Sequence, residues 1–181
     1  PFSSSMRYAA QMDFIPISAN FIGNWSVKSH WQVYVEECEK AGRKADPEIW
    51  RVARNIHVAD TDAEAEAFVK EAHGSTDWYF DYLYRIFHRA KMKGAFVVNK
   101  GDDPEELTHE SLRDNYTIYG SPSTVAEKIM ALRDDIGHFG TLLMTAQDWI
   151  DADAMKRSMK LLAEEVMPKV NAALGEQAAA D

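Results

Sequence analysis

Three sets of residues carry side chains that could do chemistry. Ser3-Ser4-Ser5 stands at the head of a helical pattern marked by Tyr8, Ala9 and Met12. A helix start offers free backbone N–H groups and the positive end of the helix dipole. Three hydroxyls add donors, so the cluster suits an anion such as a phosphate. The same serines would also serve as an ordinary helix cap. The second set lies in the run Trp50 to Val58, the best strand in the chain. Its two-residue period puts Val52, Arg54, Ile56 and Val58 on one side, and Arg51, Ala53, Asn55 and His57 on the other. In a barrel the first set would face the helices. Asn55 and His57 would then face the lumen near the strand's carboxyl end, where barrel active sites lie. The alternative is a packed structural histidine. The third set is aromatic: Phe21 with Trp25, and the stretch from Trp78 to Phe87. Either could wall a pocket for a flat or apolar ligand, which makes Trp25 a substrate-pocket candidate. Spacings of three and four are equally those of a helix packed into a core.

Other chemistries find no residues to support them. There is no Gly-x-Gly-x-x-Gly and no phosphate-loop lysine motif. The six histidines are scattered, with no pair at metal spacing on one helix, so no metal site is expected. Cys38 sits on an apolar helical face and reads as a small hydrophobe. As the single cysteine, it also excludes an internal disulfide. No residue can be assigned as catalytic.

The elements that must position these residues alternate between helix and strand. A helix follows the serines to about Met12. Phe14 to Ser18 suits a short buried strand, and Ala19 to Val27 reads as a loop. Ser29 to Ala41 is a helix with Trp31, Val35 and Cys38 inward, ended by Gly42. After the strand Trp50 to Val58, Thr61-Asp62-Ala63-Glu64 is a capping-box pattern opening a helix to about His73. An aromatic-rich helix spans Gly74 to Lys93, a loop Gly94 to Asp103 and a weak helix Pro104 to Asp114. Ser121-Pro122 starts a helix with Val125, Ile129 and Leu132 on one face. Thr141 to Thr145 is a buried strand. Asp151 or Asp153 caps a last helix with Met155, Met159, Leu162, Val166 and Val170 inward, where Pro168 can introduce a kink. Strands alternating with helices imply an α/β fold with a parallel sheet. Three good strands are too few for a complete eight-stranded β/α barrel, which leaves half a barrel or a small open sheet.

The 181 residues, 46% of them hydrophobic, fit one globular domain. A formal net charge of -9 argues against nucleic-acid or anionic-membrane partners, which need a basic face. No apolar run approaches the roughly 20 residues of a membrane span. No secretory leader pattern is present, so a cytoplasmic location is the default. The chain opens on Pro1 with a pattern that belongs at a strand-to-helix turn, and a segment upstream is expected.

Four motifs then share one resemblance. Ser3-Ser4-Ser5-Met6-Arg7-Tyr8-Ala9-Ala10-Gln11 resembles the phosphate-binding turn of the bacterial luciferase-like flavin monooxygenases. His57-Val58-Ala59-Asp60-Thr61-Asp62-Ala63-Glu64-Ala65 is similar to a second segment of that family, and Tyr119-Gly120-Ser121-Pro122 to a third. Ser158 to Pro168 resembles the C-terminal helix of its limonene-monooxygenase-like branch. The resemblance implies the C-terminal half of a TIM-type β/α barrel over residues 1–175, with parallel strands and outer helices. A helical insertion after the seventh strand would take in about residues 60–118, and residues 176–181 would form a frayed tail. It implies Ser3, Ser4 and Ser5 as the site of an FMN phosphate. It further implies reduced FMN from a separate flavin reductase, molecular oxygen and a hydrophobic small-molecule substrate, with the catalytic residues in the other half. Such a half barrel should be inactive alone and should associate with itself or with its missing half. Two alternatives remain open at this point: a deazaflavin-dependent oxidoreductase of the same fold, and a non-enzymatic α/β binding or assembly module.

Overall fold

The computed structural model describes residues 3–147 and 149–180, leaving aside the side chains of Ser3 and of residues 176–180. Helix α1 (Ser3–Gln11) leads into strand β1 (Ile17–Ser18), helix α2 (Asn24–Lys40) and strand β2 (Arg51–Val58). Helices α3 (Asp62–Val69), α4 (Ser75–Arg89) and α5 (His109–Tyr116) precede strand β3 (Thr117–Gly120). Helix α6 (Pro122–Ile136), strand β4 (Thr141–Thr145), helix α7 (Ala152–Leu161) and helix α8 (Met167–Ala180) complete the chain. No helix among the described residues is long and apolar enough to cross a membrane.

All strand pairs are parallel, and β2 lies at the centre. Arg51 pairs with both Ile17 and Thr141, and Asn55 with both Thr117 and Thr145. A strand residue has two edges, so β4 runs along one edge of β2, and β1 followed by β3 along the other. Strand β3 is absent from the sequence reading. At four residues, and continuous with α5, Thr117–Gly120 lacks the length and alternation that mark a strand in sequence.

Two apolar clusters fix the helices to this sheet. Ile56 and Val58 pack with Val125, Ile129, Leu161, Val166 and Val170, so this side of β2 meets the helix layer as its alternation predicts. The other cluster gathers Trp50, Val52 and Phe139 with residues of α2, α4, α5 and α6. Within it Trp31 stacks on Trp50 at 5.0 Å, and Phe139 meets Trp50 edge-on at 6.2 Å. Gly140 leads into β4 beside them because nothing larger fits. A Cβ there would lie 1.9 Å from the carbonyl oxygen of Glu48.

Several boundaries differ from those read in sequence. Only Ile17–Ser18 of the apolar run is strand. Pro16 has no N–H to give a ladder, although its carbonyl accepts from Arg51. In α1 it is Met6 and Ala10 that are buried, while Tyr8 and Met12 are exposed. Helix α2 starts at Asn24, five residues before Ser29, with Gly23 as its cap. Helix α3 ends at Val69 rather than near His73, and α4 at Arg89. The weak helix after Pro104 splits into a 3₁₀ turn, Pro104–Glu106, and α5. Asp151 is the cap of α7. Met159, read as inward, is exposed. A π-helical turn, Leu162–Val166, precedes Pro168. Proline cannot donate to the carbonyl four residues back and its ring crowds that carbonyl, so the helix widens there instead of breaking.

Candidate functional site

In parallel α/β sheets ligands gather outside the carboxyl ends of the strands. At that end a polar cluster is assembled from four separate elements. Asn55, 1% exposed, is its centre. Its amide nitrogen donates to the backbone carbonyls of Asn20 at 3.2 Å and Tyr116 at 3.0 Å. Its amide oxygen accepts from Asn20 Nδ2 at 2.8 Å, Thr145 Oγ1 at 3.0 Å and Gln147 Nε2 at 2.7 Å. Asn20 follows β1, Thr145 closes β4, and Tyr79 reaches in from α4 to accept from Asn20 Nδ2 at 3.3 Å. Every hydrogen-bonding atom of the Asn55 side chain is therefore engaged inside a buried site, where an unpaired amide would be costly.

His57 lies two residues further along the same side of β2 and is 5% exposed. Its ring stacks on Phe68 of α3 at 3.9 Å, nearly parallel at 2°. Its Nδ1 is buried with no hydrogen-bond partner. Burial lowers its pKa to about 4, against an opposing pull from the Asp151 carboxylate, so the ring is neutral at physiological pH. Thr117, which pairs with Asn55 in the sheet, also buries a hydroxyl without a partner.

Trp25 is placed elsewhere. Its indole N–H donates to the Val97 carbonyl at 3.1 Å from the first turn of α2. It lines a cavity of about 350 Å³ with Lys28, Asn99 and Tyr116, the last of which also gives its carbonyl to Asn55. Phe21 packs on Phe87 and Phe96 in the core rather than walling a pocket. The Trp78–Phe87 stretch divides three ways: Phe80, Leu83 and Phe87 are core, Trp78 and Tyr82 are exposed, and Tyr79 joins the cluster. The serines form the first turn of α1, which packs against α2; Ser4 and Ser5 are exposed. No hydrogen bond among the described residues joins them to Asn55, His57 or Trp25.

Arg54 sits on the opposite side of β2, 3% exposed. Its guanidinium donates to the carbonyls of Ala19 and Ala53 and to Asn24 Oδ1, with Asp135 hydrogen-bonded to Asn24 behind it. Burial lowers its pKa to about 10, which leaves it charged. It ties the start of α2 to the end of β1 and thereby sets where Asn20 stands.

Two of the sequence motifs meet in space. The Ser121 side chain makes no cap bond to α6. Instead Asp62 Oδ1 accepts the Ser121 N–H at 2.6 Å, and Oδ2 accepts from Thr124 Oγ1 at 3.0 Å. These bonds, the Ser121 N–H foremost, hold the Asp62 carboxyl below its usual range. The predicted capping box of Thr61 and Glu64 is present next to it. Asn20, Thr145 and Gln147 escaped the sequence reading, and Tyr79 entered it only within the Trp78–Phe87 stretch. The signal for Asn20 and Thr145 is position, just past the end of β1 and at the last residue of β4, and it becomes specific only when the register is known.

No protein-family model matches the chain. It is similar to 3,6-diketocamphane 1,6-monooxygenase of Pseudomonas putida, 39% identical over 170 residues, covering 93% of this chain and 44% of that protein. Limonene 1,2-monooxygenase of Rhodococcus erythropolis is 25% identical over 158 residues, covering 87% of this chain and 38% of that protein. Among solved structures, a type II Baeyer–Villiger monooxygenase matches with a TM-score of 0.79 and 38% identity. It is the oxygenating constituent of the P. putida 3,6-diketocamphane monooxygenase in complex with FMN, and the match covers 92% of this chain and 45% of that one. The chain thus spans less than half the length of these relatives.

Proposed function

We propose that this chain, which belongs to the luciferase-like flavin-dependent monooxygenases, is the C-terminal half of a β/α barrel whose parent enzyme oxygenates a hydrophobic small molecule. The parent takes molecular oxygen and reduced FMN, the latter from a separate flavin reductase. The observation that carries this reading is the 39% identity over 170 residues to a diketocamphane monooxygenase.

The residues present suit the cofactor. Exposed hydroxyls of Ser4 and Ser5 on the first turn of α1 adjoin N–H groups that a helix start leaves unpaired. They would make a donor set matched to a phosphate dianion, to which Ser3, its side chain outside the described residues, would add a third hydroxyl. His57 Nδ1, near the carboxyl end of β2, and Thr117 Oγ1, beside Asn55 at the start of β3, are buried polar atoms without a partner, as expected of a surface that meets a polar ring. Bound FMN would supply the activated oxygen. The chain's own residues would hold and orient: the serines at the phosphate, and the Asn55 cluster by locking the ends of β1, β2 and β4 together. Phe68 and α4 would limit water over His57 and Asn55.

The test compares this chain with a protein carrying both halves, each supplied with FMN, a flavin reductase, NADH and oxygen. A bicyclic ketone of the diketocamphane type serves as substrate, and products are read by mass spectrometry. Oxygenated product from the two-half protein and none from this chain is the expected result. Product from this chain alone would refute the half-barrel reading. Oxygen uptake by the two-half protein separates the flavin enzyme from a deazaflavin oxidoreductase, which should show none.

A further inference from the structure

The Asn55 cluster has a polarity that can be traced atom by atom. It begins at two backbone carbonyls, of Asn20 and Tyr116, which can only accept. They fix the Asn55 amide with its nitrogen toward them and its oxygen toward Asn20, Thr145 and Gln147. That oxygen can only accept, so the facing atom of Asn20 must be its amide nitrogen. The same nitrogen lies 3.3 Å from the Tyr79 hydroxyl. An amide nitrogen cannot accept, so the Tyr79 hydroxyl can only receive from Asn20, sharing that residue's second N–H with Thr145 Oγ1 at 3.1 Å, and its own O–H hydrogen is not spent on Asn20. Among the described residues no acceptor takes it. The half-buried ring of Tyr79 is held against the core and by an edge-on contact with Phe80 at 5.1 Å, so the hydroxyl is presented from a fixed position.

From this geometry we infer that Tyr79 is a positioning residue that donates a hydrogen bond to a carbonyl oxygen of a ligand bound at the carboxyl end of the sheet. The inference rests on the monooxygenase reading above and adds to it a named residue and a required acceptor. Two carbonyls could fill the role, that of a ketone substrate and that of the flavin ring. A hydrocarbon substrate would leave the donor unspent.

The experiment uses the protein carrying both halves of the barrel and the variants Tyr79→Phe and Asn20→Asp. Tyr79→Phe removes the hydroxyl and keeps the ring. Asn20→Asp replaces the obligate donor by an acceptor, which draws the Tyr79 hydrogen back into the cluster. Three quantities are read: the KM for a bicyclic ketone, the Ki of its parent hydrocarbon as a competitor, and the FMN dissociation constant by flavin fluorescence. Loss of one directed hydrogen bond corresponds to roughly a tenfold weakening. If the acceptor is the substrate, the ketone KM rises by roughly that factor in both variants while the hydrocarbon Ki and FMN affinity hold. If it is the flavin, FMN affinity falls instead. Unchanged values for both ketone and FMN in a Tyr79→Phe protein with wild-type circular dichroism overturn the inference. An equal loss for ketone and hydrocarbon also overturns it, because that marks a general packing role. A wild-type protein that neither binds FMN nor oxygenates overturns the monooxygenase reading, and this inference with it.

Discussion

Two histidines show how burial sets chemistry at single residues. His57 and His30 are 5% and 3% exposed, and burial lowers both pKa values to about 4. An unfolded histidine titrates near 6.5. Between those values the unfolded chain takes up protons that the folded chain refuses, so stability falls with pH in that window. The contribution is complete above about pH 6.5 and gone below about 4, on the order of 3 kcal/mol for each ring. Urea unfolding from pH 7 to pH 4 should show this loss. His57→Phe, which keeps a ring against Phe68, should flatten the curve by about half; an unchanged slope would mean that His57 is not buried neutral. Gly140 is a second case. Gly140→Ala places a Cβ 1.9 Å from the Glu48 carbonyl, so the start of β4 must shift. A lower melting temperature is expected, and an unaltered one would contradict that packing.

At the scale of elements, Asp62 is a cap supplied from a distance. It lies in α3 but accepts the N–H of Ser121, the cap residue before α6, tying the helix that follows β2 to the helix that follows β3. Its carboxyl is held below the usual range, so its stabilising effect is present at neutral pH and disappears as pH falls through that lowered value. Asp62→Asn should unfold at lower urea than wild type at pH 7, with the gap closing in strong acid. A gap independent of pH would show that charge is not what binds the cap. Leu161, 1% exposed, closes α7 over Ile56 and Val58. Leu161→Ala should cost about 2–5 kcal/mol in equilibrium unfolding, and a cost below 1 would mean that α7 is loosely docked.

The whole molecule has unfinished edges. Among the described residues no strand pairs with the outer edge of β1 or of β4. Phe14, Ile15 and Ile17 beside β1 are 53%, 50% and 51% exposed, and Tyr8 and Met12 lie on the exposed side of the neighbouring α1. An open edge with apolar flanks is a template for association. Light scattering on this chain alone should give a mass above 20.5 kDa that rises with concentration. Ile17→Lys should move it toward the monomer. A wild-type monomer at all concentrations would argue that the exposed strip needs no partner.

The sequence by itself determined what depends on near neighbours along the chain. The period of β2 named its two sides, and the apolar face of α6 follows from Val125, Ile129 and Leu132. The Thr61 capping box and the α/β alternation are local in the same sense, and four short motifs carried the resemblance to the luciferase-like monooxygenases. Pairing decided the rest. Thr117–Gly120 becomes a strand because Asn55 to Val58 offer it a free edge, and its own four residues say nothing of that. Asn55 was legible as a residue near a strand end, but its partners lie 35 to 92 positions away and come together only when register brings the ends of β1 and β4 beside it. Trp25 lines a cavity, but one that its bond to the Val97 carbonyl at the start of α2 locates, which its residue type alone did not. Composition and spacing fix which residues can hydrogen-bond or pack. Which of them do so is set by long-range contacts, whose geometry no local pattern encodes.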